Sequence, residues 1–217
     1  HLILWHLLWR HLALVAVSVL FLYPIVWIVE TALTAGALRS VWMHSGLPRA
    51  LVSSLVVSAA TALVGVVLAA TAGYALSRYR FLGRQATLSV LLVTQMFPAT
   101  LMLVPLYSIL QMLGLLDSLG GLVLVYATSS LPFCVWMLKG YFDTIPRELE
   151  EAAMMDGATP AQVFVKVVLP LARPALAVTA LFSFMQAWNE FILAATLLND
   201  AARFTLPVAL QRYVGEY

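Results

Sequence analysis

The sequence predicts an all-α integral membrane protein, a polytopic helical bundle, and three observations carry that reading. The 217-residue chain is 63% hydrophobic and only 10% charged, whereas soluble domains carry about 25% charged residues; its mean hydropathy is +0.95. Five apolar runs reach the roughly 20 residues that about 30 Å of hydrocarbon requires: 11–33, 51–76, 86–110, 120–139 and 173–198. The runs are continuous and lack the alternation of a membrane β-barrel, which leaves helices as the spanning structure.

Each run has its own character. The first is too long for a signal peptide and lacks a small-residue cleavage site after it, so it is expected to remain in the mature protein. In the second, Gly65, Ala69 and Gly73 recur every four residues and form a ridge for close helix packing. Pro98 and Pro105 in the third, and Pro132 in the fourth, are expected to kink or loosen those helices. The lone Cys134 excludes an internal disulfide and a cysteine metal cluster, and reads as a small packing residue. Trp5, Trp9, Trp27 and Trp42 fall near the ends of runs and suggest an aromatic belt. Glu190 lies about 8 residues before the end of the fifth run, roughly 12 Å in by helical rise. A carboxylate at that depth faces the bundle interior or water. It either lines a path or gate or bonds a neighbouring helix, with Asn189 and Gln186 as polar companions.

Between the fourth and fifth runs lies a charged, punctuated segment, 141–172. Asp143 and Thr144 are capping candidates and Pro146 suits a first helical turn, so a short helix is expected from about Ile145. Glu148, Glu150 and Glu151 place negative charge at the positive end of its dipole. Leu149, Ala152, Ala153 and Asp156 fall on one stripe, where the small alanines permit close approach of a partner. Gly157 supplies a left-handed terminus. Thr159-Pro160-Ala161-Gln162 then matches a capping box with proline at the first helical position, and the second helix is expected to end at Leu169-Pro170. Helix, glycine elbow and helix thus sit on one membrane face. A loop helix lying on lipid headgroups is the plainer alternative, but basic residues rather than glutamates would be expected on an anionic membrane surface.

At these residues the chain resembles a known family. Glu151-Ala152-Ala153, Gly157 and Leu169-Pro170 are similar to the cytoplasmic coupling loop of permease subunits of binding-protein-dependent ABC importers. AGYALSRYRF (72–81), TQMFP (94–98), LPF (131–133), YFDTIPRELEEAA (141–153) and FSFMQAWNEF (182–191) resemble the carbohydrate-uptake branch, in particular the maltose-type second permease subunit. The resemblance covers roughly residues 50–210, and the order of the matches makes it specific. It implies one permease domain over 1–217, with ATPase coupling through Glu148, Glu151, Ala152, Ala153, Asp156 and Gly157. It also implies a separate ABC ATPase that holds ATP and Mg, a second permease subunit, an extracytoplasmic solute-binding protein and a sugar substrate, di- or oligosaccharide. No cofactor is expected on this chain. Gln95, Tyr107, Tyr126, Asn189 and Glu190 are candidates for the translocation path, because a sugar asks for polar groups and flat aromatic faces. The segment 199–217 matches an outer loop that in this type reaches toward the binding protein. Permeases of this type normally return through a sixth span, so the chain reads as part of a longer one; the outer segment from Thr34 to Pro48 is also shorter than usual.

Orientation follows from lysine and arginine. With the N-terminus in the cytoplasm, Arg10, Arg78, Arg80, Arg84, Lys139, Arg147, Lys166 and Arg173 are inside, against Arg39, Arg49, Arg203 and Arg212 outside: eight to four, as the positive-inside rule asks. The glutamate loop then faces the cytoplasm of a bacterial or archaeal cell, where an ATPase would be. A net charge of +2 without basic runs argues against nucleic acid as a partner. No Walker A, HExxH or GxSxG pattern occurs, so the chain is read as non-catalytic and ATP hydrolysis as the work of another subunit. Import of glycerol phosphate, a polyol or another small solute is the alternative within the family. A secondary transporter would need an ion-coupling constellation, and intramembrane charge is limited essentially to Glu190, with Glu30 near an edge. A membrane enzyme would need paired acid, base or metal ligands, and His1, His6, His11 and His44 are terminal or loop residues at no ligand spacing.

Overall fold

The computed structural model describes residues 2–34 and 46–215. His1, Arg39, Trp42, His44, the rest of 35–45, Glu216, Tyr217 and the side chains of Trp5 and His6 lie outside the described residues. The chain divides into two compact units, His1–Pro48 and Arg49–Tyr217. The first contains α1, Leu2–Thr34, whose apolar residues are not confined to one face, as suits a helix immersed in lipid.

The second unit is helical, with no strand among its described residues. α2 (Leu47–Arg78) turns a small and polar face inward: Ser54, Ser58, Thr61, Gly65, Ala69 and Gly73 are buried. Its bulky aliphatics, Val52, Leu55, Val56, Leu63, Val67 and Leu68, are exposed. That distribution suits a helix whose solvent is hydrocarbon, because small residues let backbones approach while lipid accepts the aliphatics. The expected glycine ridge serves this packing. A Cβ on Gly73 would stand 3.1 Å from the Lys139 amide nitrogen and 3.3 Å from the Val135 carbonyl oxygen; one on Gly65 would stand 3.0 Å from Ser183 Oγ.

The expected third span is divided. α3 (Arg84–Thr94) ends ahead of Pro98, whose extended backbone (φ −61°, ψ 132°) starts a 3₁₀ turn, Ala99–Met102, and α4 (Leu103–Met112) follows. Pro98 breaks the run as its missing donor requires, whereas Pro105 falls in the first turn of α4, where no amide donor is needed, and does not kink it. α5 (Leu119–Thr144) begins at Ser118, whose hydroxyl accepts from the Gly121 amide at 2.9 Å, and stays helical through Pro132. It runs five residues past the expected end at 139, so Asp143 and Thr144 close α5 instead of capping the next helix.

α6 (Glu148–Met155) starts three residues later than expected, after extended Ile145 (ψ 122°) and a non-helical Pro146. α7 (Pro160–Leu171) does not stop before Pro170: it opens into a π-helical turn at Phe164–Val168 and closes at Leu169–Leu171. A π turn is one way a helix absorbs the donor and space that a proline removes. α8 (Arg173–Asn189) then leaves at 78° to α7. The expected fifth span is also interrupted: α8 ends at extended Glu190 (ψ 126°), and α9 (Ile192–Leu197) is a separate short helix. A 3₁₀ turn, Ala201–Arg203, and α10 (Leu206–Gly215) follow. Among the described residues, three of the five expected spans fall in helices long and apolar enough to cross (Trp9–Thr31 within α1, α2 and α5), and the bent pair α7 and α8 makes up to four.

Two apolar clusters hold the second unit, one at each end of α2 and α5. One gathers Tyr74, Leu138, Phe142, Ile145, Val163 and Val168; the other gathers Val57, Leu122, Val125, Leu193, Leu197 and Phe204. Cys134 is fully buried within the first cluster beside Ser183 Oγ at 3.5 Å, a packing position as expected. Gly73→Val should destabilise the solubilised protein by about 1–3 kcal/mol through overpacking against the α5 backbone, read as a lowered thermal midpoint in detergent.

Candidate functional site

The helix-elbow-helix segment is built by local rules. α6 ends in a Schellman arrangement: the Ala158 amide donates to the Ala153 carbonyl and the Gly157 amide to the Met154 carbonyl, both at 3.0 Å. Gly157 takes φ +87°, open to glycine at no steric cost. The capping box is complete, with Thr159 N donating to Gln162 Oε1 at 2.9 Å and Gln162 N to Thr159 Oγ1 at 3.3 Å.

The three glutamates of α6 have different surroundings. Glu148 and Glu151 are exposed, whereas Glu150 is 6% exposed and is the buried residue of the helix. Arg78 Nε donates to Glu150 Oε1 at 2.5 Å and the Tyr74 hydroxyl to Oε2 at 2.7 Å. The other arms of Arg78 reach Ser77 Oγ (3.1 Å) and the Ile145 carbonyl (3.0 Å). Ser77 donates to Asp143 Oδ1 and Lys139 to Asp143 Oδ2, each at 2.6 Å, while Arg147 donates to the Ser77 carbonyl at 3.3 Å. The last turn of α2 is thereby clasped to the end of α5, the linker and α6. Beside the clasp lies a cleft of about 230 Å³ bordered by Tyr74, Arg147, Glu151, Met154 and Pro160.

The sequence reading did not single out Glu150, Arg78 or Tyr74 for this site. The available signal was that Tyr74 and Arg78, at i and i+4, share a face at the end of an apolar helix. Of the expected coupling residues, Glu148, Glu151, Ala152, Asp156 and Gly157 are exposed, and Ala153 is half-buried against the apolar cluster. Asp143 and Thr144 are bound within the clasp and to the Tyr141 carbonyl respectively.

At the other end of the unit, Glu190 caps the break that precedes α9. Its carboxylate accepts from the amides of Leu193 (3.0 Å) and Ala194 (3.2 Å) and from the Tyr126 hydroxyl (2.9 Å). Glu190 therefore sits at a helix terminus and not within a continuous span. Of the other path candidates, Tyr126 is buried on Glu190, Tyr107 is half-buried against the same cluster, and Gln95 and Asn189 are exposed. Gln95 approaches the Ser129 carbonyl at 3.5 Å, and the Asn189 amide donates back to the Met185 carbonyl. Nearby, Asp117, in a left-handed conformation (φ 52°), accepts from the amides of Asn199 (2.9 Å) and Asp200 (3.0 Å), and Arg203 donates to its carbonyl and carboxylate. Those amide bonds, with Arg203 beside them, hold its carboxyl below the usual carboxylate range. Among the described residues no cluster of His, Cys, Asp or Glu could hold a metal ion.

Residues 63–216, which contain both the elbow and the capped break, match the family described as binding-protein-dependent transport system inner membrane component. The chain belongs to this family. The permease is 37% identical over 188 residues to the trehalose transport system permease protein of Mycobacterium tuberculosis, covering 87% of this chain and 69% of that one. It is 39% identical over 163 residues to the maltodextrin transport system permease protein of Bacillus subtilis, covering 75% of this chain and 59% of its relative. Its fold superimposes with TM-score 0.82 and 26% identity on a chain of a bacterial ABC transporter involved in the import of the acidic polysaccharide alginate, covering 95% and 79% of the two chains. It is thus a multi-pass inner-membrane ABC permease.

Two outcomes follow for this permease. Gly157→Ala leaves the surroundings untouched, since no atom lies within 4 Å of the added Cβ, but forces an L-residue into the left-handed region. It should cost about 1–2 kcal/mol, measured by chemical denaturation. Because the folded carboxyl of Asp117 is depressed, its tie contributes fully above the ordinary carboxylate value of about 3.9 and is lost as pH falls through the lower folded value. Hydrogen exchange at Asn199 and Asp200 should accelerate across that acid window, and Asp117→Asn should remove the step.

Proposed function

We propose that the permease imports a sugar, di- or oligosaccharide, and couples closure of a separate ABC ATPase to alternating access of its spans. One observation carries the coupling reading: α6 presents Glu148, Glu151, Ala152 and Asp156 outward as an acidic, small-residue face while Glu150 anchors it from behind. A compact face of that kind suits a cleft in a partner lined with basic or hydrogen-bonding groups, with Gly157 fixing the elbow.

ATP and Mg bind the ATPase. When two ATPase subunits close, the cleft holding Glu151 moves, and the helices swing from inward-open to outward-open; a docked solute-binding protein then releases sugar into the cavity shared with a second permease subunit. Such switching needs contacts at α6 that differ between the two ATPase states. The eight-to-four lysine and arginine distribution supports a cytoplasmic N-terminus and puts α6 on the ATPase side. The outer side then carries the Asp117 tie and α10, within reach of the binding protein. Relatives named for trehalose and maltodextrin transport support a sugar substrate. Within the path, Tyr126 and Glu190 engage each other, and Gln95, Asn189 and the ring of Tyr107 are the groups left to meet hydroxyls and sugar faces.

The test is ATP-driven sugar uptake in proteoliposomes holding the permease pair, ATPase and binding protein. Glu151→Ala should lower uptake on the order of tenfold and weaken ATPase copurification with the permeases still folded. Unchanged uptake and association would refute the role of Glu151. Uptake of glycerol phosphate or a polyol in place of sugars would move the substrate within the family, and uptake without any ATPase would overturn the coupling mechanism.

A further inference from the structure

We infer that the Glu150–Arg78 pair is the link through which motion of α6 reaches α2, an inference that rests on the coupling role proposed for α6. Leu149, Met154 and Met155 are exposed, so α6 has little apolar hold of its own on the rest of the unit. Its one buried residue is Glu150, and the side chains of both partners of the ion pair are 8% exposed.

A buried ion pair is a poor device for stability, since apolar residues of similar volume hold two helices as well or better. What it provides is direction. Both Glu150 oxygens are occupied, by Arg78 Nε and the Tyr74 hydroxyl, and both donors lie on the last turns of α2. The remaining Arg78 arms hold Ser77 and the Ile145 carbonyl. Rolling α6 so that Leu149 took the place of Glu150 would leave a buried guanidinium with its charge uncompensated, and rolling it the other way would draw Glu151 inward from the outer face. α6 therefore moves together with the end of α2 or the pair breaks. α2 extends 32 residues from that point, roughly 48 Å by helical rise, with Gly73 packed against the α5 backbone and Gly65 against the Ser183 side chain of α8. A displacement delivered at Glu150 is carried along this rod toward the opposite end of the unit. Glu150, Arg78 and Tyr74 are positioning residues.

The experiment uses the complete transporter in proteoliposomes and reads sugar taken up per ATP hydrolysed, alongside copurification of all subunits. Glu150→Gln, Arg78→Gln and Tyr74→Phe should assemble. The first two should lower uptake per ATP on the order of tenfold, and Tyr74→Phe, which leaves no charge unpaired, should lower it less. Arg78→Lys keeps the charge and should recover part of what Arg78→Gln loses, a rescue that a merely structural strut would not show in this ratio. Assembled variants with the parent ratio overturn the link. Loss of assembly in all four variants overturns it too, because the pair is then a strut of the fold. A parent complex without ATP-driven uptake refutes the proposed function itself, and the link with it, whereas a transporting parent with equally coupled variants strikes the link alone.

Discussion

In hydrocarbon a peptide group has no water to bond, so every departure of this chain from continuous helix has to bring its own partner. Three acidic residues lie at such departures. Glu190 takes the amides left open where α8 gives way to α9. Asp117 takes the amides of Asn199 and Asp200 where the chain turns after α9. At the other end Glu150 neutralises Arg78, which in turn takes the Ile145 carbonyl at the break between α5 and α6. At these three places a carboxylate meets the open amides or neutralises the cation that meets an open carbonyl.

This constraint explains what the sequence made legible. Helices without interruption, α2 and α5, follow from apolar length alone, and the glycine elbow and capping box follow from side-chain chemistry confined to a few neighbouring residues. Pro98 marked the third run for a kink, but the full division of the third and fifth runs was not legible, because hydropathy averages over a short polar break: Thr94-Gln95 before Pro98 and Gln186, Asn189 and Glu190 are flanked on both sides by apolar residues. Pro105 and Pro132 carried the same letter as Pro98 and did not break their helices. What separates them is position, a first turn for Pro105 and a buried interior for Pro132.

The start of α6 was misplaced for a related reason. Asp143 and Thr144 have the chemistry of helix caps, but Asp143 has Ser77 and Lys139 as partners. The Lys139 bond is an i, i+4 pair along α5 itself, and with the Ser77 contact it favours carrying α5 one turn further. A local rule yielded to a contact between residues 66 positions apart, which no window along the chain displays.

The adjacent glutamates 150 and 151 carry this to the candidate site. Successive residues on a helix point about 100° apart, so one acid falls on the face turned to α2 and the next on the face turned outward. Nothing in Glu-Glu-Ala-Ala itself distinguishes them; the distinction comes from Tyr74 and Arg78, which face the first. A helix with one acid locked inside and another free outside is suited to relay motion, because the inner acid fixes which way the outer one points. The register of α6 is therefore the quantity on which the proposed coupling turns, and it is set by α2 more than by α6's own sequence.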